Sequence, residues 1–365
     1  MTFITKSFQF LCITLVLSLG WHVVALPPGF ELTTLTDAVP NARQMVESPS
    51  GVIYVGSRQV GSVYAVVPNA DKTDAAVTVV AKDLPMPSGL TLLGDDLVIA
   101  ALNRILRIRN IDEVYREQPD LETITDDLPT DQHHGWKYLE HDPEGYLYLN
   151  VGAPCNVCLR DDPRYASIVR LNPADGATTI YAHGVRNSVG FAWHPETAQL
   201  WFSDNGRDWM GPEVPLEEIN VVSNPSEHFG FPYVHAGVVM DPEFGQGKSP
   251  EDYVKPKFYI RAHAAALGIA FYTGSQFPDE YRNALFVAEH GSWNHAPREP
   301  RGYRVSVILE TANGLHYEPF ADQWLVDGRV SGRPNDVIVL KDGSLLISDD
   351  QQGSLYRVTY TGDPS

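Results

Sequence analysis

The sequence predicts an all-β protein, a six-bladed β-propeller, on three observations. A turn followed by two short strands recurs six times, the spacing of the repeats is blade-sized, and long amphipathic helices are hard to find. Counted from Gly51 through Asp95, Gly145, Ala198 and Ala284 to Gly343, the intervals are 44, 50, 53, 86 and 59 residues. A hairpin with one further strand on each side is too small to bury both of its faces. Stacking such units around an axis is the arrangement that buries them.

The repeats follow in order. The first occupies residues 50–56 with 61–66, where Gly51 provides the turn before Val52-Ile53-Tyr54-Val55. The second is 94–100 with 104–108, and the third, opened by Asp142-Pro143-Glu144-Gly145, is 142–149 with 167–171. The fourth is 194–204, the fifth 283–288 with 302–307, and the sixth 341–348 with 353–358. Residues 30–35 alternate well enough to act as the outer strand of the last blade, which closes the ring. The 86-residue interval contains residues 209–259, rich in Pro and Gly, read as one long insertion over an end of the propeller.

Upstream, Lys6 precedes the apolar run 8–25, and Val23 and Ala25 form a small-residue cleavage site before Leu26. Residues 1–25 therefore read as a secretory signal and 26–365 as a single exported domain, periplasmic or secreted, without stable membrane insertion. Its loss leaves Cys155 and Cys158, for which an oxidising compartment favours a short local disulfide. A net charge of -19 argues against a nucleic-acid or anionic-lipid partner.

The innermost strand of each blade lines the axis, so residues just before each repeat can converge although they are distant in sequence. Those positions are polar: His133 and His134, Arg186 and Asn187, His263, and Arg333 with Asn335. An imidazole suits general-base work near neutral pH. Arginine adds a fixed cation for a carboxylate or a developing oxyanion. The loop 204–208, with Glu217, Glu218 and Asn220 beyond it, reads either as a plain Asx-rich turn or as an oxygen-rich seat for a hard cation. Neither a Walker motif nor the elbow of a serine hydrolase is present.

Six motifs in order on six repeats carry a resemblance: Asp131-Gln132-His133-His134-Gly135-Trp136-Lys137, Gly152-Ala153-Pro154-Cys155-Asn156-Val157-Cys158, Gly184-Val185-Arg186-Asn187, Ser203-Asp204-Asn205-Gly206-Arg207-Asp208, His290-Gly291-Ser292-Trp293-Asn294 and Gly332-Arg333-Pro334-Asn335-Asp336-Val337. Across essentially the whole chain after residue 25, they resemble the soluble quinoprotein sugar dehydrogenases, in the sorbosone dehydrogenase-like branch. The resemblance implies pyrroloquinoline quinone and Ca2+ on the axis, a sugar or sugar aldehyde as substrate, and an electron acceptor that the sequence does not name. Aligning Lys137 with the family's basic residue places the base on His133, with His134 its rival. It sets Arg186 and Asn187 beside the quinone, gives the calcium to the backbone carbonyls of Gly206 and Arg207, and puts a cofactor carboxylate on Arg333. The implied reaction is hydride transfer from the hydroxyl-bearing carbon to the quinone.

Two family cations are absent. Asn335 stands where a second arginine is expected, and no lysine lies near 289–292. His290, Asn294 and Arg58 are the candidates to compensate. The runner-up is a calcium-dependent propeller hydrolase of lactones or esters, and the third reading is a binding propeller without chemistry. A hydrolase of that kind needs axial carboxylates; histidines and arginines predominate here, which favours the quinoprotein.

Overall fold

The strand that follows each predicted turn shows little alternation of buried and exposed positions. Ile53–Ser57, Leu147–Val151, Leu200–Asp204, Leu285–Glu289 and Leu345–Asp349 are buried at every residue. A strand buried on both faces must have sheet packed on either side. The computed structural model, which describes residues 26–294 and 299–362, shows that packing as a six-bladed β-propeller. The signal segment read over 1–25 lies outside the described residues.

From the axis outward, blade 1 runs Ala42–Glu47, Ile53–Ser57, Val63–Pro68 and Ala75–Ala81, and blade 2 runs Gly89–Leu93, Asp96–Ala100, Ile105–Ile108 and Glu122–Thr125. Blade 3 comprises Leu139–His141, Leu147–Val151, Ser167–Leu171 and Thr178–His183. Blade 4 comprises Phe191–Trp193, Leu200–Asp204, Glu217–Val221 and Phe258–Ile260, and blade 5 Ala266–Phe271, Leu285–Glu289, Arg304–Thr311 and Gly314–Ala321. Blade 6 takes its three inner strands, Pro334–Val339, Leu345–Asp349 and Ser354–Tyr360, from the C-terminal end of the fold and its outer strand, Phe30–Thr36, from the other. The last pairing is antiparallel, with Phe30 opposite Tyr360 and Leu32 opposite Val358, so residues 30–35 close the ring as expected.

The 209–259 segment is less of an insertion than its composition indicates. It holds the third strand of blade 4 and ends at the fourth, which pairs Glu217 with Ile260 and Ile219 with Phe258. The excursion proper is 222–257. It adds a two-residue parallel strand to the edge of blade 3, with His183 opposite His228, and a small hairpin that pairs Val234 with Met240.

Burial is organised by interface. The described residues form six apolar clusters, one between each pair of neighbouring blades. The aromatic-rich cluster between blades 5 and 6 collects Phe277, Tyr281, Phe286 and Phe320 and receives Phe30 from the closing strand. At the axis the inner strands have no neighbouring strand to pair with, and side chains take that role. Gln44 of blade 1 accepts from the N–H groups of Leu90 (2.9 Å) and Leu139 (2.8 Å) and donates to the Leu139 carbonyl at 2.7 Å. Asp336 of blade 6 accepts from Met45 N at 2.8 Å and the Tyr138 hydroxyl at 3.0 Å.

The Phe30 ring lies 4.7, 5.2, 5.0 and 4.9 Å from those of Phe277, Tyr281, Phe320 and Tyr360. Phe30→Ala should therefore cost about 3 kcal/mol, the low end for a core phenylalanine because the ring keeps some exposure. Urea denaturation followed by tryptophan fluorescence measures it. Loss of less than ~1 kcal/mol would mean that the ring is not closed through this cluster.

Candidate active site

Functional side chains cluster where the chain enters the inner strands, and in blades 3, 4 and 6 the entry is pinned by a polar residue at the end of the same blade's second strand. In blade 3, Asn150 accepts from Tyr138 N at 2.7 Å and donates to the Trp136 carbonyl at 3.0 Å. In blade 4, Asp204 accepts from the N–H groups of Arg186 (2.8 Å) and Asn187 (2.6 Å). In blade 6, Asp349 accepts from Arg333 N at 3.0 Å. Ser348, one residue earlier, donates to the Arg43 carbonyl at 3.0 Å and so fixes the entry to blade 1. These N–H groups have no strand to pair with, and leaving them bare inside the ring would cost free energy.

The four loops converge on one axial cavity of about 390 Å3. His133, His134, Arg186, Asn187, Gly206, Arg207, Arg58, His290, Asn294 and Arg333 all line it, and Arg43, Asp208, Glu217 and His263 join them. Asn335 does not. The register of its strand shifts between Pro334 and Asp336, which takes Asn335 off the side that Arg333 faces; it is buried, with its amide nitrogen unpartnered. Lys137 is likewise absent from the lining. It is buried, and burial alone pushes its ammonium down to about 7.

His134 has a left-handed backbone, φ 51°, and its Nδ1 lies 2.8 Å from the Ala153 carbonyl. A carbonyl can only accept, so the proton sits on Nδ1 and Nε2 is left as the ring's acceptor. The approach requires Gly152, where a Cβ would come within 2.6 Å of the His134 Cβ. His133 sits at the mouth, its ring 4.2 Å from that of His134. Burial first and then the charge of Arg186 lower the pKa of both rings, so both are neutral bases at neutral pH.

Arg186 is buried and bound on every nitrogen: Nε to the Asn156 carbonyl at 2.9 Å, Nη1 to the Asn205 carbonyl at 3.1 Å, and Nη2 to Asn156 Oδ1 at 2.9 Å and Asp208 Oδ2 at 3.1 Å. Beside it, Asn187 Oδ1 is buried without a partner. Burial lifts two nearby carboxyls, Asp204 to about 6 and Glu217 to about 7. Glu217 accepts from Gly206 N at 2.9 Å, which holds the 205–208 loop against the cavity. The Arg207 side chain turns away to Asp241 and Glu243, leaving its backbone at the wall. Neither the Gly206 nor the Arg207 carbonyl accepts an internal hydrogen bond among the described residues.

Opposite stands a cationic group. Arg43 pairs with Asp350 at 2.6 Å, and Arg333 donates from Nε to the His290 carbonyl at 3.0 Å and from Nη2 to the Gly291 carbonyl at 2.5 Å. Arg58 stacks on Trp136, 4.1 Å from the ring centre. Burial and then Arg43 push Arg58 down to about 10, which still leaves it charged at neutral pH. His290 donates to Asp350 at 2.8 Å, and burial, only partly opposed by that carboxylate, lowers its pKa to about 4. Asp350 thus pairs directly with Arg43 and acts at longer range on Arg58 and Arg333, beside a neutral imidazole. The Nε atoms of Arg43 and Arg58 are buried with no partner.

Sequence reading missed Arg43, Asn156 and Asp350. Arg43 holds in blade 1 the place that Arg186 and Arg333 hold in blades 4 and 6, and applying the inner-strand rule to the first blade would have found it. Asn156 was visible only as a residue between two cysteines. Those cysteines form the expected disulfide, with Cα atoms 6.2 Å apart.

A sequence model of the family described as Glucose / Sorbosone dehydrogenase matches residues 97–357. An uncharacterized protein of Borreliella burgdorferi is 33% identical over 374 residues, spanning 98% of this chain and 96% of its own. The aldose sugar dehydrogenase YliI of Escherichia coli is 25% identical over 332 residues, 84% of this chain and 74% of its own. Among solved structures, the holo form of the pyranose dehydrogenase PQQ domain from Coprinopsis cinerea shares the fold, with a TM-score of 0.76 at 18% identity over 92% of this chain and 96% of that one.

Because the folded state holds His290 unprotonated to about pH 4 while the unfolded chain takes up that proton near 6.5, stability should fall as pH drops across this window. His290→Gln should remove roughly 3 kcal/mol of that loss, read as the difference between the two proteins' denaturation free energies at pH 7 and pH 4. Parallel curves would show that His290 does not titrate as its surroundings require.

Proposed function

The chain belongs to the glucose/sorbosone dehydrogenase family, and on that premise we propose that it is an exported, pyrroloquinoline quinone-dependent dehydrogenase that oxidises a sugar or sugar aldehyde. The observation that carries this reading is the asymmetry of the axial cavity. One wall gathers Arg43 and Arg333 beside the carboxylate of Asp350, the other presents a buried imidazole and a buried guanidinium, and Arg58, stacked on Trp136, lies within Coulombic reach of both. The first is what a tricyclic tricarboxylate needs; unpartnered donors on Arg43 and Arg58 and an unpartnered acceptor on Asn187 remain to meet its polar edge. The second is what proton removal beside developing negative charge needs. Bare carbonyls at Gly206 and Arg207, with the carboxyl of Glu217 behind them, suit a hard cation.

When bound, the quinone supplies an electrophilic carbonyl carbon that accepts hydride, and calcium polarises that carbonyl. The residues of the chain prepare the rest. Between the two histidines, the hydrogen bond to Ala153 favours His134 as base over His133, the choice of the sequence alignment. It fixes the tautomer and leaves Nε2 to take the substrate hydroxyl proton, whereas His133, at the mouth, stands where it can bind and orient the sugar. Arg186 cannot swing, because four acceptors hold it, so its charge is in place before the reaction begins.

The hydrolase alternative is disfavoured by what the carboxylates already do. Glu217 is engaged by backbone N–H groups, Asp204 by Arg186 and Asn187, and Asp208 by Arg186 and Asn294. None of them is left to be the direct side-chain ligand that a hydrolytic calcium would need.

Purified protein loaded with pyrroloquinoline quinone and Ca2+ should reduce a redox dye when given aldoses or sugar aldehydes; lactone cleavage with no change in quinone absorbance would instead establish the hydrolase. His134→Ala should lower turnover by roughly 10²- to 10⁴-fold, against less than about tenfold for His133→Ala. The reverse order in the dye assay returns the base to His133. Arg43→Ala and Arg58→Ala should each weaken quinone binding about tenfold, the worth of one charge-assisted contact, as measured by quenching of tryptophan fluorescence. Unchanged affinity would remove blade 1 from the cofactor site.

A further inference from the structure

We propose that the disulfide-closed loop Cys155–Cys158 is a clasp that positions both catalytic side chains, with Asn156 as its working residue. The inference rests on the reading above that His134 and Arg186 do the chemistry. Between the strand ending at Val151 and the one beginning at Ser167 there is no regular secondary structure. Yet this connection supplies the contacts that both groups depend on. The Ala153 carbonyl accepts from His134 Nδ1 at 2.8 Å, and Ala153 N donates to the Arg186 carbonyl at 2.8 Å.

Three residues further on, Asn156 uses every polar atom of its side chain. Oδ1 accepts from Arg186 Nη2 and from Asp208 N, both at 2.9 Å, and Nδ2 donates to the Asp208 carbonyl at 3.0 Å. Its main-chain carbonyl takes Arg186 Nε at 2.9 Å. Asn156 therefore sets the angle of the guanidinium and ties it to the 205–208 loop. Among the described residues no backbone–backbone hydrogen bond holds residues 154–158, so the bond between Cys155 and Cys158 is the local restraint on Asn156.

A disulfide that closes so short a loop removes little entropy from the unfolded chain, so global stability is not its main contribution. What it does is fix the geometry of residues 155–158 in the folded state. Cys155 and Cys158 are partly exposed, and Cys158 also lines a separate side cavity of about 190 Å3, so a small reductant can reach the bond. Reduction by a phosphine breaks the S–S bond, adds two electrons and two protons to give two thiols, and leaves the phosphine as its oxide with an oxygen from water. The blade strands are untouched; Asn156 loses its restraint, and Ala153, two residues before Cys155, keeps only its own N–H bond to the Arg186 carbonyl.

The test uses the full-length protein loaded with quinone and calcium, with and without a water-soluble phosphine. Single-turnover reduction of the quinone at saturating sugar should slow roughly 10- to 100-fold on reduction, the cost of loosening a catalytic group by about an ångström, while KM and quinone affinity stay within about threefold. Cys155→Ser/Cys158→Ser should be equally slow and indifferent to phosphine. Asn156→Ala should be slow with its disulfide intact, and Asn156→Asp, which keeps both Oδ acceptor contacts, should recover part of the rate.

The readout independent of turnover is the imidazole tautomer, seen in long-range 1H–15N spectra of 15N-histidine-labelled protein. His134 should be a fixed Nδ1–H tautomer before reduction and a mixture afterwards. A protein that never reduces its quinone but shows this tautomer change would refute the dehydrogenase reading and support the clasp. An active enzyme whose rate and His134 tautomer both survive reduction would overturn the clasp. Should the serine variant fail to fold, reduction of the folded wild type and Asn156→Ala decide the matter alone.

Discussion

Closing sheets into a ring creates a problem that open sheets do not have. Six inner strands meet at an axis where none can pair with another, and the loops that enter them bring backbone N–H groups into a space that water cannot fill freely. Asn150, Asp204, Asp349, Ser348, Gln44 and Asp336 answer it, each a buried polar side chain that bonds a main-chain group at the axis, three within their own blade and three across to another. The site depends on this solution. Asp204 and Asp349 hold the N–H groups of Arg186 and Arg333, Ser348 holds the Arg43 carbonyl, and Asn150 holds the chain just after His134. A carboxylate such as Asp204 suits the task because it accepts two N–H bonds at once. Burial raises its pKa to about 6, and those same N–H bonds hold it down against that rise.

Burial also divides the labour within the cavity. Both histidines at one wall and His290 at the other have lowered pKa values, with desolvation the largest cause in each, so the site carries neutral imidazoles among charged guanidinium groups. A cationic histidine beside Arg186 could not accept a proton and would add repulsion. Neutral rings avoid both penalties, and Asp350 is then free to balance arginine rather than imidazolium.

How much of this was legible beforehand follows from the range of each interaction. The fold was, because turn-strand repetition is local: Gly51, Gly145 and Gly343 mark turns in the sequence that remain turns in the structure, and residues 30–35 alternate as an outer strand must. The blade-entry rule found His133, His134, Arg186 and Arg333 for the same reason. It misplaced Asn335, since a register shift between Pro334 and Asp336 leaves no trace in residue type. It read 209–259 as one insertion because the segment is rich in Pro and Gly, although Glu217, Glu218 and Asn220 open a strand within it that belongs to blade 4. Asp350 and Asn156 act across 307 and 30 residues of chain, through partners that spacing cannot identify.

The lysine and second arginine that the resemblance leads one to expect, and that this chain lacks, illustrate what a ring permits. In an open sheet, a ligand's charged group can be met only by the few residues above its own strands, and losing one leaves a gap. In a propeller, all six entries face one axis, so a guanidinium from a neighbouring blade can reach nearly the same space. Arg43 enters from blade 1, directly beside blade 6, and already interacts with Asp350 and Arg333. Arg58, held flat on Trp136 of blade 3, closes the far side. Positive charge can thus be supplied to one axis from different blades, and under the proposed reading Arg43 and Arg58 take the part of the expected lysine and second arginine.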